Sequence, residues 1–189
     1  MKAETRKEEI IKTAAKLFKE KGYSAVTMRD LATAMGIKAA SLYNHINSKQ
    51  EILKEIIISL AEEFTDGMEI ITALNTNCLS KLSQVIALHI RISSQNIYGM
   101  ASLNNDWMHL EDQLNYYLKL RTDYEDNFRN IIKSGIINKE ILNDNPDVML
   151  FSMLSTLRSL YIWIPKKEDL NQDELAKSLS KVLIQGISK

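Results

Sequence analysis

Hydrophobic residues recur at intervals of three and four positions along almost the whole chain of 189 residues. This spacing places them on one side of an α-helix, so the chain is predicted to be all-α, with about nine helices in total. Glycine and proline, at six and two residues, are too few for a loop-rich β fold. The pattern places helices, approximately, at 5–21, 27–35, 40–46, 49–68, 81–94, 106–134 and 147–164, with a last one from 171 onward.

The clearest local signals lie near the N-terminus. Thr27 and Asp30 form a capping box that predicts a helix start, and Gly36 ends this helix. A short second helix follows, with Leu42 and Ile46 on its inward side. Two short helices joined by a glycine turn are typical of a helix-turn-helix. Small, polar or basic residues on the outward side and at the helix starts are the ones expected to reach DNA: Thr27, Arg29, Lys38, Ala39, Ala40, Ser41, Tyr43, Asn44, His45 and Lys49.

This choice of residue types suits the DNA major groove. Small side chains let a helix backbone approach the base edges, and Lys38, Ser41 and Asn44 carry groups that can bond to them. Tyr43 and Lys49 are expected to anchor phosphates, with His45 beside them. The helical pattern alone would also fit an ordinary helical hairpin in a small core.

The amino-acid sequence of residues 22–53 resembles the DNA-binding domain of the tetracycline-repressor (TetR) family of bacterial regulators. Two positions depart from the family pattern: Ile46 stands where phenylalanine is usual, and Ala40 stands where glycine or proline is common. The matching segments are Gly22-Tyr23, Thr27, Leu31-Ala32, Gly36-Ile37, Leu42-Tyr43-Asn44-His45-Ile46 and Ser48-Lys49-Gln50-Glu51-Ile52-Leu53.

The resemblance implies a domain organisation. A three-helix DNA-binding domain over 1–50 would be joined by a long helix to a helical effector-binding and dimerisation domain over 51–189. The family dimerises by packing its last two long helices against their symmetry mates in a four-helix bundle. The sequence itself shows that the helix predicted at 147–164 is apolar on most sides. Such a helix must be buried on nearly all sides, and it has more apolar surface than one monomer easily covers.

Charge distribution fits a protein that binds nucleic acid at one end. Residues 1–60 hold eleven Lys/Arg against seven Asp/Glu, whereas the remainder holds thirteen against seventeen. A basic third on an acidic body matches a DNA-binding end and a body that avoids DNA. Chance clustering would also give a difference of this size.

Composition excludes several other classes of protein. The single Cys78 excludes an internal disulfide and a cysteine-cluster metal site. No apolar run approaches the roughly 18 residues of a membrane span, and the charged N-terminus is unlike a signal peptide. A cytoplasmic protein without membrane contact is therefore expected. Glycine-rich phosphate loops, metalloprotease motifs and nucleophile elbows are also missing, so we expect neither an enzyme nor a cofactor or metal.

The body carries an arginine within an aromatic stripe on one helix face, formed by Leu114, Tyr117, Arg121, Tyr124, Phe128 and Ile131. A cation there is costly unless paired, and two interpretations are open. Arg121 could pair with Glu111 or Glu125, or it could hold an anionic ligand. For His89 and His109, a histidine with satisfied hydrogen bonds is the plainer interpretation. The candidate effector-binding residues are Trp107, His109, Tyr117, Arg121, Tyr124 and Phe128.

The sequence thus predicts a homodimeric, ligand-responsive transcriptional regulator, most simply a repressor. It would leave a pseudo-palindromic double-stranded operator when a small molecule binds. The series Trp107, then Arg121-x-x-Tyr124-Glu125-x-x-Phe128-Arg129, resembles TetR-like regulators that sense acyl-CoA thioesters. An acyl-CoA or another anionic, partly apolar metabolite is therefore the expected effector. The alternative is a DNA-binding regulator without an effector, whose body serves as a dimerisation or protein-interaction platform.

Overall fold

The computed structural model describes residues 5–167 and 170–186. These residues form α-helices, joined in places by short 3-10 helices, and contain no strand, so the all-α prediction is confirmed. The outer ends of the two predicted domains and residues 168–169 lie outside the described residues. The α-helices are α1 (Arg6–Lys21), α2 (Met28–Ala34), α3 (Ala39–Leu42), α4 (Lys49–Ala73), α5 (Cys78–Gln95), α6 (Ile97–Asn105), α7 (Leu114–Ile137), α8 (Pro146–Arg158), α9 (Leu160–Trp163) and α10 (Gln172–Gln185).

The chain divides into two compact units within α4. The first contains residues 5–61 together with Tyr98–Tyr117, and the second contains Glu62–Ile97 and the described residues from Leu118 onward. The sequence placed its domain boundary after residue 50. Tyr98–Tyr117 follows the predicted boundary in the chain but contacts the N-terminal unit.

The helix starts of the first unit are built as their capping residues predict. Thr5 and Glu8 form a complete capping box at α1. The inward face of α1 buries Ile10, Ala14 and Phe18 completely or almost so. Because caps act through bonds within one turn, the sequence is sufficient to place such starts.

The second unit is built around α5, which packs against α8, α9 and α10. Helix α5 begins at Cys78, three residues before the predicted start, because Asn77 Oδ1 accepts a hydrogen bond from the Ser80 amide at 2.8 Å. Helix α10 begins after Asn171, as predicted, since Asn171 Oδ1 accepts from the Asp173 and Glu174 amides.

Three long-range features depart from the predicted pattern. Helix α6 was not predicted. The helix expected over 106–134 is interrupted near Glu111, whose φ is +48°, and α7 itself begins only at Leu114. Gly135, expected to end this helix, lies inside it instead. A Cβ at Gly135 would stand 2.5 Å from Ile141 Cδ1, so the glycine serves close packing and not helix termination.

The helix predicted over 147–164 breaks at Ser159 and ends in a 3-10 turn. The prediction that it is buried on nearly all sides is wrong for the single chain, because Phe151 is 73% exposed. The whole segment Pro146–Lys166 is long and apolar enough to cross a membrane, with 44% of its most apolar window buried. This corrects the expectation that no run reaches that length, although core helices pass the same test.

Candidate functional site

The turn between α2 and α3 sets the geometry of the candidate DNA-binding surface. The Thr27 amide donates to Asp30 Oδ2 at 2.8 Å, and Thr27 Oγ1 accepts from the Asp30 amide at 3.2 Å. The Thr27 hydroxyl also donates to Asp30 Oδ2 at 2.6 Å, and this bond, followed by the one from the Thr27 amide, lowers the pKa of Asp30. Gly36 adopts a φ of +65°, which a residue with a Cβ rarely takes, and so allows the tight turn. Leu42 and Ile46 are buried beneath α3, as predicted.

The predicted DNA-contacting side chains lie on an open surface. Ala39 and Lys49 are half-buried and the others are exposed, with Tyr43 at 52%. The charged residues among them are basic, and α3, which lies between Lys38 and Asn44, has small residues at Ala39, Ala40 and Ser41. This face therefore combines room for close approach with exposed hydrogen-bonding groups. The exposed residues are Thr27, Arg29, Lys38, Ala40, Ser41, Tyr43, Asn44 and His45.

Lys49, a predicted phosphate anchor, makes hydrogen bonds within the protein. Its Nζ donates to the carbonyl oxygens of Tyr23 and Val26 at 2.8 and 2.9 Å. The same ammonium lies 4.2 Å from the centre of the Tyr23 ring. A cation held by two carbonyls and an aromatic ring fastens the start of α4 to the preceding loop, and this role competes with the predicted phosphate contact.

We expect Lys49→Met to lower the free energy of unfolding by about 2 kcal/mol, because two charge-assisted hydrogen bonds are lost. The salt dependence of DNA binding should keep its slope. Arg29→Met, which removes an exposed cation from α2, is the matched comparison and should reduce the slope by about one unit with unchanged stability. Chemical denaturation and salt titrations of DNA affinity measure both quantities. An unchanged stability with a reduced slope for Lys49→Met would restore the phosphate role.

Part of the predicted effector set lies in the first unit. The His109 ring stacks on Tyr23 at 5.3 Å, and the His109 carbonyl accepts a hydrogen bond from Gln50 Nε2 at 2.6 Å. Trp107 stacks on Tyr117 at 5.9 Å. Trp107, His109 and Tyr117 thus belong to the first unit, whereas Arg121, Tyr124 and Phe128 belong to the second.

Arg121 takes part in an ion-pair network, as one of its two interpretations requires. Its Nε donates to Glu125 Oε1 at 3.1 Å, and Arg158 Nη2 donates to the same oxygen at 2.6 Å. Burial alone would raise the pKa of Glu125, but the hydrogen bonds from Arg158 and Arg121 lower it on balance. The Arg121 side chain is 36% exposed, so the expected arginine inside an apolar stripe is instead at the edge of that stripe. Sequence reasoning missed Arg158, which lies 33 positions from Glu125.

The core of the second unit contains a polar pair surrounded by aromatic rings. His89 Nε2 lies 2.7 Å from the Tyr124 hydroxyl, and the Phe64 ring lies 4.7 Å from the imidazole. Burial, followed by the nearby Arg158 charge, lowers the pKa of His89 to about 3. Burial raises the pKa of Tyr124. Both groups are therefore uncharged at neutral pH.

Four buried side-chain polar atoms have no hydrogen-bond partner among the described residues: His89 Nδ1, Ser93 Oγ, Ser94 Oγ and Ser102 Oγ. The plainer interpretation of His89 as a fully satisfied core histidine is thus correct for only one of its nitrogens. Ser93 was not predicted, although its spacing of four from His89 within an apolar stripe was a readable signal. Over residues 5–167 and 170–186, no group of three His, Cys, Asp or Glu side chains is arranged to hold a metal ion.

Comparison with known families decides the class of protein. The family model described as bacterial regulatory proteins, tetR family, matches residues 10–56. A second model, described as tetracyclin repressor-like, C-terminal domain, matches residues 75–187. The chain belongs to the TetR family. It is a DNA-binding transcriptional regulator, and the helix-turn-helix formed by α2 and α3 lies within the first match.

Relatives that align over nearly the whole chain are also transcriptional regulators. The transcriptional repressor KstR2 of Rhodococcus jostii is 23% identical over 186 residues, covering 97% of this chain and 91% of the relative. The transcriptional regulator YvaF of Bacillus subtilis is 26% identical over 186 residues, covering 95% and 94%. Both alignments extend through the body as well as the DNA-binding unit.

Solved structures agree on the TetR fold. The ketosteroid transcriptional regulator KstR2 of Mycobacterium tuberculosis superposes with a TM-score of 0.91 at 20% identity, covering 100% of this chain and 97% of that one. AibR in complex with isovaleryl coenzyme A and operator DNA gives a TM-score of 0.76 at 20% identity, covering 95% and 98%. At these identities the likeness shows the fold alone.

Proposed function

We propose that this TetR-family chain acts as a homodimeric cytoplasmic repressor that leaves a pseudo-palindromic operator when a small molecule binds its second unit. The observation that carries the DNA-binding part is the exposed surface formed by α3 and the residues on either side of it, from Lys38 to Ile46. Leu42 and Ile46 are buried beneath it, while Lys38, Ser41 and Asn44 are exposed. Lys38, Ser41 and Asn44 would read base edges, and Arg29, Tyr43 and His45 would contact phosphates.

The base-reading assignment predicts a change in operator preference for Ser41→Ala. Loss of one hydroxyl contact to a base should cost about 1–3 kcal/mol on the preferred operator and less on variants of it. The control is Ser59→Ala, because Ser59 is exposed on α4 and its hydroxyl donates to the Glu55 carbonyl. Binding of labelled duplexes that differ at single base pairs measures the preference. Equal losses on all duplexes would assign Ser41 to the backbone instead.

An uncharged face on α8 and α9 supports the homodimer. Residues spaced three and four positions apart along these two helices are exposed, and none of these residues is charged. Small residues at the centre of the face would allow a second helix to approach closely, while larger apolar residues stand at both ends. Single-chain proteins rarely leave such a face uncovered. The face consists of Val148, Phe151, Ser152, Ser155, Thr156, Ser159, Ile162 and Trp163.

The polar core of the second unit supports a small-molecule effector. A regulator whose body is only a platform would be expected to satisfy its buried polar atoms, whereas His89 Nδ1 and Ser93 Oγ are unpaired among the described residues. Apolar and aromatic walls with a few polar atoms are typical of ligand sites. An acyl-CoA thioester is the proposed class, because the fold is shared with AibR, whose structure contains isovaleryl coenzyme A.

Helix α4 offers a route for the response, because it starts beside the helix-turn-helix and ends in the unit that contains His89. Two recognition helices of a dimer must reach major grooves about 34–36 Å apart. A ligand that shifts α4 would change this separation, and linkage then makes ligand and operator oppose each other.

Operator release tests the proposal. Purified protein is bound to a fluorescent duplex recovered from a random library, and isovaleryl, octanoyl and phenylacetyl coenzyme A are added in turn. We expect at least one thioester to lower the anisotropy, while free coenzyme A does not. A complex unaffected by all three, and by a broader metabolite extract, would favour the regulator without an effector.

A further inference from the structure

The unpaired atoms of His89 and Ser93 lie on successive turns of α5. His89 is 3% exposed and Ser93 is 0% exposed, so water at the protein surface cannot satisfy them. Residues four apart on a helix are neighbours on one face. Buried polar atoms without partners are uncommon, and each calls for an explanation such as a bound water, ion or ligand group. The pair therefore marks one polar spot inside an apolar core.

The hydrogen bond to Tyr124 fixes which proton the imidazole presents. Tyr124 keeps its hydroxyl proton because burial raises its pKa, and that hydroxyl is 2.7 Å from His89 Nε2. If the hydroxyl donates to Nε2, one imidazole donor is left unpaired. If Nε2 donates instead, both the Tyr124 proton and Nδ1 are left unpaired. The first arrangement leaves fewer groups unsatisfied, so the neutral ring carries its proton on Nδ1.

The surroundings favour an uncharged ligand atom. The Phe64 and Tyr124 rings lie 4.7 and 5.8 Å from the imidazole. His89 is neutral because burial lowers its pKa, and the nearby Arg158 donates to the Glu125 carboxylate. A full negative charge would be costly in such a core. An oxygen with two lone pairs and no net charge can accept from both donors.

We propose that His89 Nδ1–H and Ser93 Oγ–H form a two-donor site for the carbonyl oxygen of the effector's acyl group. This assignment rests on the proposed function as an effector-responsive regulator, and it identifies the thioester carbonyl as the atom recognised in the core. Tyr124 is a positioning residue, since it holds the imidazole tautomer and does not itself contact the ligand.

The assignment is tested on the full chain by combining a change in the protein with a change in the ligand, as in a double-mutant cycle. Calorimetry identifies the tightest binder among isovaleryl, octanoyl and phenylacetyl coenzyme A. The comparison ligand is its thioether analogue, in which a methylene replaces the carbonyl. We expect wild-type protein to prefer the thioester by about 100-fold, because the thioether loses both hydrogen bonds of the carbonyl and each contributes about tenfold. Ser93→Ala should reduce this preference several-fold.

The matched control is Ser83→Ala on the same helix, because the Ser83 hydroxyl already donates to the Leu79 carbonyl at 3.1 Å. It should keep the wild-type preference. Without ligand, Ser93→Ala should melt no lower than wild type, since an unpaired hydroxyl is removed. A lower melting temperature for the ligand-free Ser93→Ala variant would show a structural role and overturn the proposal.

The remaining outcomes separate this proposal from the proposed function. If wild-type protein releases DNA on thioester binding but Ser93→Ala keeps the full preference over the thioether, only the carbonyl site is overturned. If wild-type protein binds none of the three thioesters, the acyl-CoA function falls and the carbonyl site falls with it.

Discussion

Replacing Phe151 by arginine is expected to turn the dimer into a folded monomer and to weaken operator binding by about 100-fold or more, since the two half-sites are no longer engaged together. Phe151 is 73% exposed in the single chain, so the change should leave the monomer's own core intact. In a two-fold interface the substitution occurs twice, and each copy buries a charge without a partner.

Ile70→Arg is the matched control for this prediction. Ile70 is 67% exposed on α4 and is not part of the uncharged face of α8 and α9. The variant should remain dimeric and bind the operator normally. Light scattering at micromolar concentration gives the oligomeric state, and circular dichroism checks the fold. A dimeric Phe151→Arg protein with normal operator affinity would place the dimer interface elsewhere.

Phe151 separates association from folding better than a position on the apolar stripe of α10 would. Leu179 and Leu183 belong to the apolar stripe of α10, and both are half-buried within the single chain. A charge at either position would disturb folding as well as association. A substitution on an exposed residue separates the two effects.

Lowering the pH should destabilise the protein through His89. The pKa of this group falls from 6.5 to about 3 on folding, so between these values the unfolded chain binds the extra proton. The contribution of the neutral His89 to stability is therefore fully present above pH 6.5 and is lost progressively as the pH falls toward 3. The loss between pH 8 and pH 5 should be about 2 kcal/mol.

Denaturant titrations across this range measure the effect on three proteins. His89→Phe cannot take up the proton, so its stability should change little between pH 8 and pH 5, whatever its absolute value. His45→Gln removes an exposed histidine and should follow the wild-type curve. Parallel curves for wild type and His89→Phe would mean that His89 is not held neutral in the folded state.

Local chemistry explains which parts of the fold the sequence could predict. Thr27 with Asp30, and Asn171 alone, satisfy amides within one turn, so their helix starts follow from neighbouring residues. The exposed face of α3 follows from spacing alone, because Leu42 and Ile46 must be buried together.

What the sequence could not show depends on partners far along the chain. The ammonium of Lys49 is bound by carbonyls 26 and 23 positions earlier, and the residues beside Lys49 in the sequence give no sign of these contacts. The partner of Gly135 is the side chain of Ile141, against which only a residue without a Cβ fits. Pairing of Glu125 with Arg121 could be read from a spacing of four, but the added bond from Arg158 could not.

Selection of DNA by the purified protein tests the central claim most directly. A random duplex library is carried through repeated rounds of binding with wild-type protein and with the Ser41→Ala variant. A dimer that reads DNA through α3 predicts an enriched inverted repeat, with half-sites about one helical turn apart, or a multiple of that spacing. Ser41→Ala should enrich a repeat with altered half-sites and the same spacing. Failure of wild-type protein to enrich any sequence, or enrichment of a single unrepeated site, would contradict the account.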